Sequence, residues 1–276
     1  MKKDRAAAIP DFNEGIIRSA LTERQQLLLR RCEIFNEIPS TNQYLLTTAF
    51  KPDELPRVCI AGRQTHGRGR LGRQWQSASP YNIYMSVADL VNESPQLMGR
   101  LSLLSGMAVA RVLAKYGIEA GLKWPNDVLV DNRKIAGVLL ETKVKSARQI
   151  LLVAGVGLNV DMAGFGASVD QPWTDMLSQL PDGVSVDRSV LAGELLSEIL
   201  SMMEAFKLTG FDQFRSEWQS LDLCYQQPLL VYVENEQLSG IGRGVDEYGR
   251  LCVEVEGKRR FFHGAEVSIR VNHAVN

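Results

Sequence analysis

Positions 62–75 read Gly-Arg-Gln-Thr-His-Gly-Arg-Gly-Arg-Leu-Gly-Arg-Gln-Trp, with four arginines and four glycines in fourteen residues. No Asp or Glu occurs from Val58 to Val87, a run of 30 residues in a chain that holds 32 acids in 276. An even spread would put roughly three or four acids there. Arginine supplies a fixed positive charge and a fork of donors that matches carboxylate and phosphate. Glycine lets the backbone approach a ligand and change shape. The segment reads as a loop that closes on a small anion.

Three further segments could carry chemistry. Lys123-Trp124-Pro125-Asn126-Asp127 is followed by Arg133-Lys134-Ile135-Ala136-Gly137. Pro125 ends a strand, and Asn126-Asp127 make a turn that presents polar side chains, with Lys134 across a hairpin from them. Gly155-Val156-Gly157-Leu158-Asn159 places two glycines in a strand, as a ligand lying flat on backbone requires, with Asn159 as its polar end. Ser40-Thr41-Asn42 caps a helix and adds hydroxyls, an amide and free N–H groups. Each segment alone also fits a surface loop, a turn, tight packing or a simple helix cap.

The elements that position these segments alternate between strand and helix. Helical spacing covers 14–31, 40–46, 97–116, 187–208 and 211–221, and strands are expected at 32–37, 57–61, 81–88, 121–124, 128–130, 134–142 and 149–160. The 14–31 helix could cover a sheet or be the remnant of another domain. Residues 161–170 form a Gly/Ala loop. From 224 onward only short β segments appear, at 229–234, 238–245, 251–255, 258–262 and 266–271, which predicts a small closed barrel. The expected fold is therefore α/β (α+β): a central mixed sheet with flanking helices over 33–223, a barrel over 224–276, and a helical extension at 1–32.

Composition narrows the function. Apolar residues make up 45% of the chain and charged residues 23%, enough for a full core. A net charge of −1 is no match for nucleic acid, despite the basic loop. The four cysteines are scattered, with no CxxC, and the three histidines lack metal-ligand spacing, which fits reduced thiols in a cytoplasm. Residues 1–10 have no apolar h-region of a signal peptide, and the longest apolar run, 150–160, is too short to span a bilayer, so no membrane is expected.

Taken in order, Ser40-Thr41-Asn42-Gln43, Gln64-x-x-Gly67-Arg68-Gly69-Arg70-x-Gly72-Arg73-x-Trp75, Lys123-Trp124-Pro125-Asn126-Asp127, Lys134-x-x-Gly137 and Gly155-x-Gly157-x-Asn159 resemble the motif set of biotin protein ligases. The similarity runs from about 33 to 270 and includes 240–246 and 264–268 of the barrel. It implies a catalytic domain like that of class II aminoacyl-tRNA synthetases and an SH3-like barrel. It also implies a two-step reaction. Biotin's carboxylate attacks the α-phosphorus of ATP to give biotinyl-5'-AMP, and a lysine of a biotin carboxyl carrier protein, from acetyl-CoA carboxylase or a related carboxylase, then attacks the adenylate.

On this resemblance Lys134, Arg68 and Asp127 are the catalytic candidates, with Asp127 orienting or deprotonating the incoming amine. Ser40, Thr41, Asn42, Gln64, Gly67, Arg68, Gly69, Arg70, Trp75, Lys134, Gly137 and Gly155 are the biotin-binding candidates. Arg70, Lys123, Asn126, Asn159, Trp173 and Arg270 are assigned to the nucleotide, with Trp173 a candidate to stack on adenine and Asn159 a candidate for the magnesium-bound phosphate. ATP, biotin and Mg2+ are the implied small molecules. Longer relatives carry a winged helix-turn-helix of about 60 residues; the residues before position 33 are too few for one, so no DNA partner is expected. Leu230 stands where some relatives have a nucleotide-contacting lysine. Two other readings stay open: a lipoate–protein ligase, whose different Arg/Gly run followed by His-Asp is not found, and a non-catalytic biotin-binding regulator, whose mark would be loss of Arg68 or Lys134. Monomer and edge-paired homodimer are both compatible with the pattern.

Overall fold

Strand periodicity divides the catalytic region into two faces. The computed structural model describes residues 12–91, 98–146, 149–165, 169, 171–233, 236–264 and 267–271. Seven strands form one sheet in the order β1-β2-β3-β7-β6-β5-β4. They are β1 (Arg31–Ile38), β2 (Arg57–Gln64), β3 (Ile83–Val91), β4 (Gly121–Lys123), β5 (Asp127–Val130), β6 (Arg133–Val144) and β7 (Ile150–Leu158). Only β1 and β2 run parallel; the other neighbours are antiparallel, which makes the sheet mixed as expected.

Side chains alternate across a pleated strand. Val58, Ile60, Ile83, Met85, Val87, Leu152, Val156 and Leu158 therefore enter one large apolar layer, and Cys59, Ala61, Tyr84, Ala88, Leu151 and Val153 enter a second, smaller one. The large layer also takes in α4 (Met98–Lys115) and α5 (Arg188–Thr209), whose Leu104, Met107, Leu113, Leu195 and Ile199 are buried in it. Among the described helices the short α3 (Thr41–Thr47) enters the second layer, through Leu45, and leaves part of that face for a ligand. Arg57 is buried at the start of β2, and Glu33 accepts hydrogen bonds from its guanidinium at 2.6 and 3.1 Å. A buried charge of this kind is tolerated only when paired.

The helix expected over 14–31 is two helices. α1 (Glu14–Ser19) stops, and α2 (Glu23–Leu28) restarts behind a capping box in which Thr22 and Gln25 exchange hydrogen bonds; Arg31 already belongs to β1. Local capping at Thr22 outweighs continuous helical spacing. The pair covers α5 rather than the sheet. Gln25 donates to Ser197 O and Ser201 Oγ, both at 2.9 Å, and a Cβ on Gly193 would meet Ile17 O at 2.5 Å.

Past α6 (Asp212–Leu221) come β8 (Pro228–Val233), β9 (Glu236–Val245), β10 (Leu251–Val255), β11 (Lys258–Phe262) and β12 (Val267–Val271). They form an antiparallel sheet in the order β11-β10-β9-β8-β12. The first half of β9 pairs with β8 and its second half with β10, so the strand hands over from one partner to the next. Among the described residues no β11–β12 pairing completes the ring expected of a closed barrel. Leu229, Val231, Leu251, Val253 and Ile269 merge with the large apolar layer, so this sheet shares a core with the catalytic region. Position 97, most of 166–170, positions 234–235 and the Ala265-Glu266 part of the 264–268 motif lie outside the described residues.

Candidate active site

Two cross-strand pairs make the floor. Gly137 of β6 lies opposite Gly157 of β7, and Leu139 lies opposite Gly155. All four sit on the sheet face left open by α3, and without side chains the glycines leave a hollow there. Above it is a cavity of about 370 Å³.

The basic segment folds over this floor as a small hairpin. Arg68 bridges to Gln74, Gly69 N donates to Arg73 O at 2.7 Å, and Trp75 N donates to Gly67 O at 3.0 Å. A short 3-10 turn spans Arg70–Gly72, with Leu71 and Gly72 at positive φ. The hairpin lays Trp75 across the glycine pair. A Cβ on Gly157 would stand 2.5 Å from Trp75 Cε2, and one on Gly137 would stand 2.8 Å from Trp75 Cζ3. Lys134 Nζ lies 5.3 Å from the Trp75 ring centroid, in the range of a cation–π contact.

At one end of the cavity, Ser40 caps α3 by accepting from Gln43 N at 3.3 Å. Thr41 N donates to Gln64 Oε1 at 2.9 Å. Asn42 is held on three sides. Its amide donates to Leu139 O at 3.1 Å and Glu141 Oε2 at 3.0 Å, and its carbonyl accepts from Ser86 Oγ at 2.6 Å. With both N–H bonds spent on protein, Asn42 braces the pocket more than it can recognise a ligand.

At the other end, Lys134 Nζ lies 2.7 Å from Asp127 Oδ1 across the β5–β6 hairpin. Arg70 Nη1 donates to Asn126 Oδ1 at 3.1 Å, while Nη2 is buried with no partner among the described residues. Burial lowers the pKa of Arg70, an effect Asp127 opposes. A partly desolvated guanidinium with an unspent donor is well suited to an anion. Lys123 lies opposite Asp127 on β4. Residues 172–174 run beside Lys134 through Lys134 N→Pro172 O and Thr174 N→Lys134 O, both 3.0 Å, and so bring Trp173 to the cavity wall. Asn159 donates to Thr174 O at 3.0 Å and to Lys134 O at 3.4 Å, which leaves its carbonyl as the group open to a ligand.

Of the residues singled out in the sequence, Ser40, Thr41, Asn42, Gln64, Arg68, Gly69, Arg70, Trp75, Lys123, Asn126, Asp127, Lys134, Gly137, Gly155, Asn159 and Trp173 line this one cavity. Gly67 does not. It permits close packing, since a Cβ there would be 2.5 Å from Trp75 O. Arg270 is not brought in either: it is exposed on β12, with its guanidinium 5.5 Å from the Tyr232 ring, while Val267, Ser268 and Ile269 before it reach the cavity.

Sequence reasoning named Arg73 in the basic motif without assigning it to the site, and passed over Ser86 and Glu141. Glu141 shares a strand face with Gly137 and Leu139 by simple alternation, and that period was the available signal. Among the described residues no three His, Cys, Asp or Glu side chains cluster to hold a metal.

Known proteins carry the same two parts in the same order. Residues 34–159 match the biotin/lipoate A/B protein ligase family, and residues 229–270 match the biotin protein ligase C terminal domain. The bifunctional ligase/repressor BirA of Escherichia coli is 35% identical over 237 residues, covering 84% of this chain and 72% of that protein. The biotin–[acetyl-CoA-carboxylase] ligase of Mycobacterium tuberculosis is also 35% identical over 237 residues, covering 83% of this chain and 85% of its own length. The structure of biotin protein ligase from Aquifex aeolicus in complex with biotin and ATP superposes with a TM-score of 0.75 at 27% identity, over 88% of this chain and all of that one. The glycine floor, the basic hairpin and the shared sequence over most of both chains lead to one conclusion: this chain belongs to the biotin protein ligase family.

Proposed function

We propose that the chain joins biotin to a lysine of a biotin carboxyl carrier protein, through biotinyl-5'-AMP, at the expense of ATP. The observation that carries this reading is the excess of cations around the cavity. Arg68, Arg70, Arg73, Lys123 and Lys134 line it, and Asp127 is the one acid among the described lining residues. Two anions, a carboxylate and a triphosphate, repel each other in water. Fixed cations in a partly enclosed site remove that barrier and hold the reacting atoms together.

In the first step the carboxylate oxygen of biotin bonds to the α-phosphorus and the bond to pyrophosphate breaks. Lys134 and Arg70 are placed to stabilise the charge that builds on the phosphoryl oxygens. In the second step an amine nitrogen bonds to the acyl carbon and AMP leaves. Asp127 accepts the proton of the amine, and Lys134, 2.7 Å away, orients that carboxylate. Magnesium bound to ATP would neutralise its phosphates, and Asn159 would meet the metal-bound phosphate through the metal, with its uncommitted carbonyl as a ligand. The biotin ring lies beside Ser40, Thr41 and Gln64 and packs against Trp75 where it covers the glycine floor, and Trp173 stacks on adenine. The closed hairpin keeps water from the mixed anhydride.

We assign residues 33–223 to the catalytic unit, 224–276 to the C-terminal sheet domain and 1–32 to an extension. The four cysteines form no disulfide, which suits a reducing compartment, and we read the enzyme as cytoplasmic. No helix among the described residues is long and apolar enough to cross a membrane. No DNA target is part of this reading. The edges β1 and β4 allow a homodimer, which sedimentation would decide.

The test is biotin- and ATP-dependent pyrophosphate release with and without a carrier domain. Release in both cases, and labelling of the carrier when present, supports the reading. Biotin binding with no pyrophosphate release overturns it.

A further inference from the structure

Glu141 does something the anion-handling residues do not. It brings a carboxylate to the rim of a site where Asp127 is otherwise the one acid among the described lining residues. Its Cα pairs with Val153 on β7, one row beyond the Leu139–Gly155 pair of the floor. Its side chain is only 18% exposed, and its two oxygens are divided between two elements. Oε2 accepts from Asn42 Nδ2 at 3.0 Å, and Oε1 meets Arg68 Nη2 at 3.0 Å. Arg68 is held from a second side, where its Nη1 donates to Gln43 Oε1 at 2.5 Å. Asn42 in turn is fixed by Ser86 and by the backbone of Leu139.

The result is an unbroken chain, Ser86–Asn42–Glu141–Arg68–Gln43. It ties the basic hairpin to β3, β6 and α3. Arg68 has five N–H donors and spends two of them here, so it can still turn donors to a ligand. The Arg68–Glu141 contact and the seat of Trp75 on the glycine pair are two separate anchors for the hairpin.

We propose that Glu141 is a positioning residue that latches the basic hairpin shut. It orients Arg68 and braces Asn42, and so sets how long biotinyl-5'-AMP is retained. This rests on the ligase reading above. Chemistry at the phosphorus does not need Glu141 directly, so its loss acts mainly on retention.

The experiment loads the full chain with synthetic biotinyl-5'-AMP and measures its dissociation rate in wild type, Glu141→Gln, Arg68→Ala and the double variant. A half-exposed ion pair of this kind predicts an increase of roughly three- to fivefold for Glu141→Gln. Arg68→Ala is expected to rise at least as much, and the double variant no further than Arg68→Ala alone, because both changes cut the same link. A purely structural role would lower thermal stability and leave the dissociation rate unmoved. Glu141→Asp serves if the glutamine variant does not fold: the shorter carboxylate cannot span Asn42 and Arg68, and the same increase is expected. A rate within twofold of wild type, or effects that multiply in the double variant, overturns the inference. Separately, a wild type that makes no biotinyl-5'-AMP from biotin and ATP overturns the functional reading, whereas one that does, beside an unchanged Glu141→Gln, overturns the latch alone.

Discussion

Lys134 Nζ and Asp127 Oδ1 lie 2.7 Å apart, joined across the β5–β6 hairpin and roofed by Trp75. In the proposed mechanism the two groups serve different halves of the reaction, so their substitutions should separate. Lys134→Ala is expected to cost about 2–4 kcal/mol of transition-state stabilisation in adenylate formation. Asp127→Asn keeps the size of the side chain and a hydrogen-bonding oxygen but removes the base. It should leave pyrophosphate release within several-fold of wild type and slow transfer to the carrier by about 100-fold. Single-turnover measurements of the two steps check this; equal losses in both steps for Asp127→Asn would remove it as the proton acceptor.

The two glycines of β7 face neighbours of different rigidity. A Cβ on Gly155 would stand 2.2 Å from Oδ1 of Asn42, which is locked by three hydrogen bonds, whereas a Cβ on Gly157 would stand 2.5 Å from Trp75 on the hairpin. Gly155→Ala should therefore destabilise the fold by about 1–3 kcal/mol. Gly157→Ala should leave thermal stability nearly unchanged, because the hairpin can lift, and should instead weaken biotin and adenylate binding. Melting curves with and without biotin distinguish the two variants.

Asp222 sits where β4 meets the start of the C-terminal sheet, through the bridge to Leu122. Its Oδ1 accepts from Cys224 N at 2.8 Å, while Oδ2 is buried with no partner among the described residues. Burial raises its pKa from 3.8 to about 7. The folded protein thus holds this proton over a range in which the unfolded chain has lost it. The contribution to stability is full below the unfolded pKa and is lost as pH rises toward 7. Asp222→Asn keeps the bond to Cys224 and cannot ionise. Its advantage over wild type should already be present at pH 5, where the unfolded aspartate has ionised, and should grow by about 1–3 kcal/mol between pH 5 and pH 8. Denaturant titrations at the two pH values check this, and the same difference at both would rule out Asp222 as the titrating group.

Much of the site was legible in the chain, because its requirements are local. A glycine can be recognised where backbone must be bare, an arginine run with no acids announces an anion, and Ser40 caps α3 through its own neighbour Gln43. Strand alternation alone assigned most of the sheet. Capping at Thr22, also local, was hidden by the stronger helical period around it. What the chain alone did not decide was which residues meet across distance. That Gly137 faces Gly157 follows from the register of β6 on β7, set by packing along the whole length of both strands. That Asn42 spends its amide on Leu139 and Glu141, and so braces the pocket, follows from α3 lying over β6, nearly 100 positions away in the chain. Arg270 shows the same limit from the other side. Its place near the end of the barrel suggested the nucleotide, but it is exposed beside Tyr232 while Val267 to Ile269 reach the cavity. Residue types and short spacings fixed the chemistry available to this protein; only the tertiary structure decided which of those groups face one another, because register and helix placement are collective properties of the core.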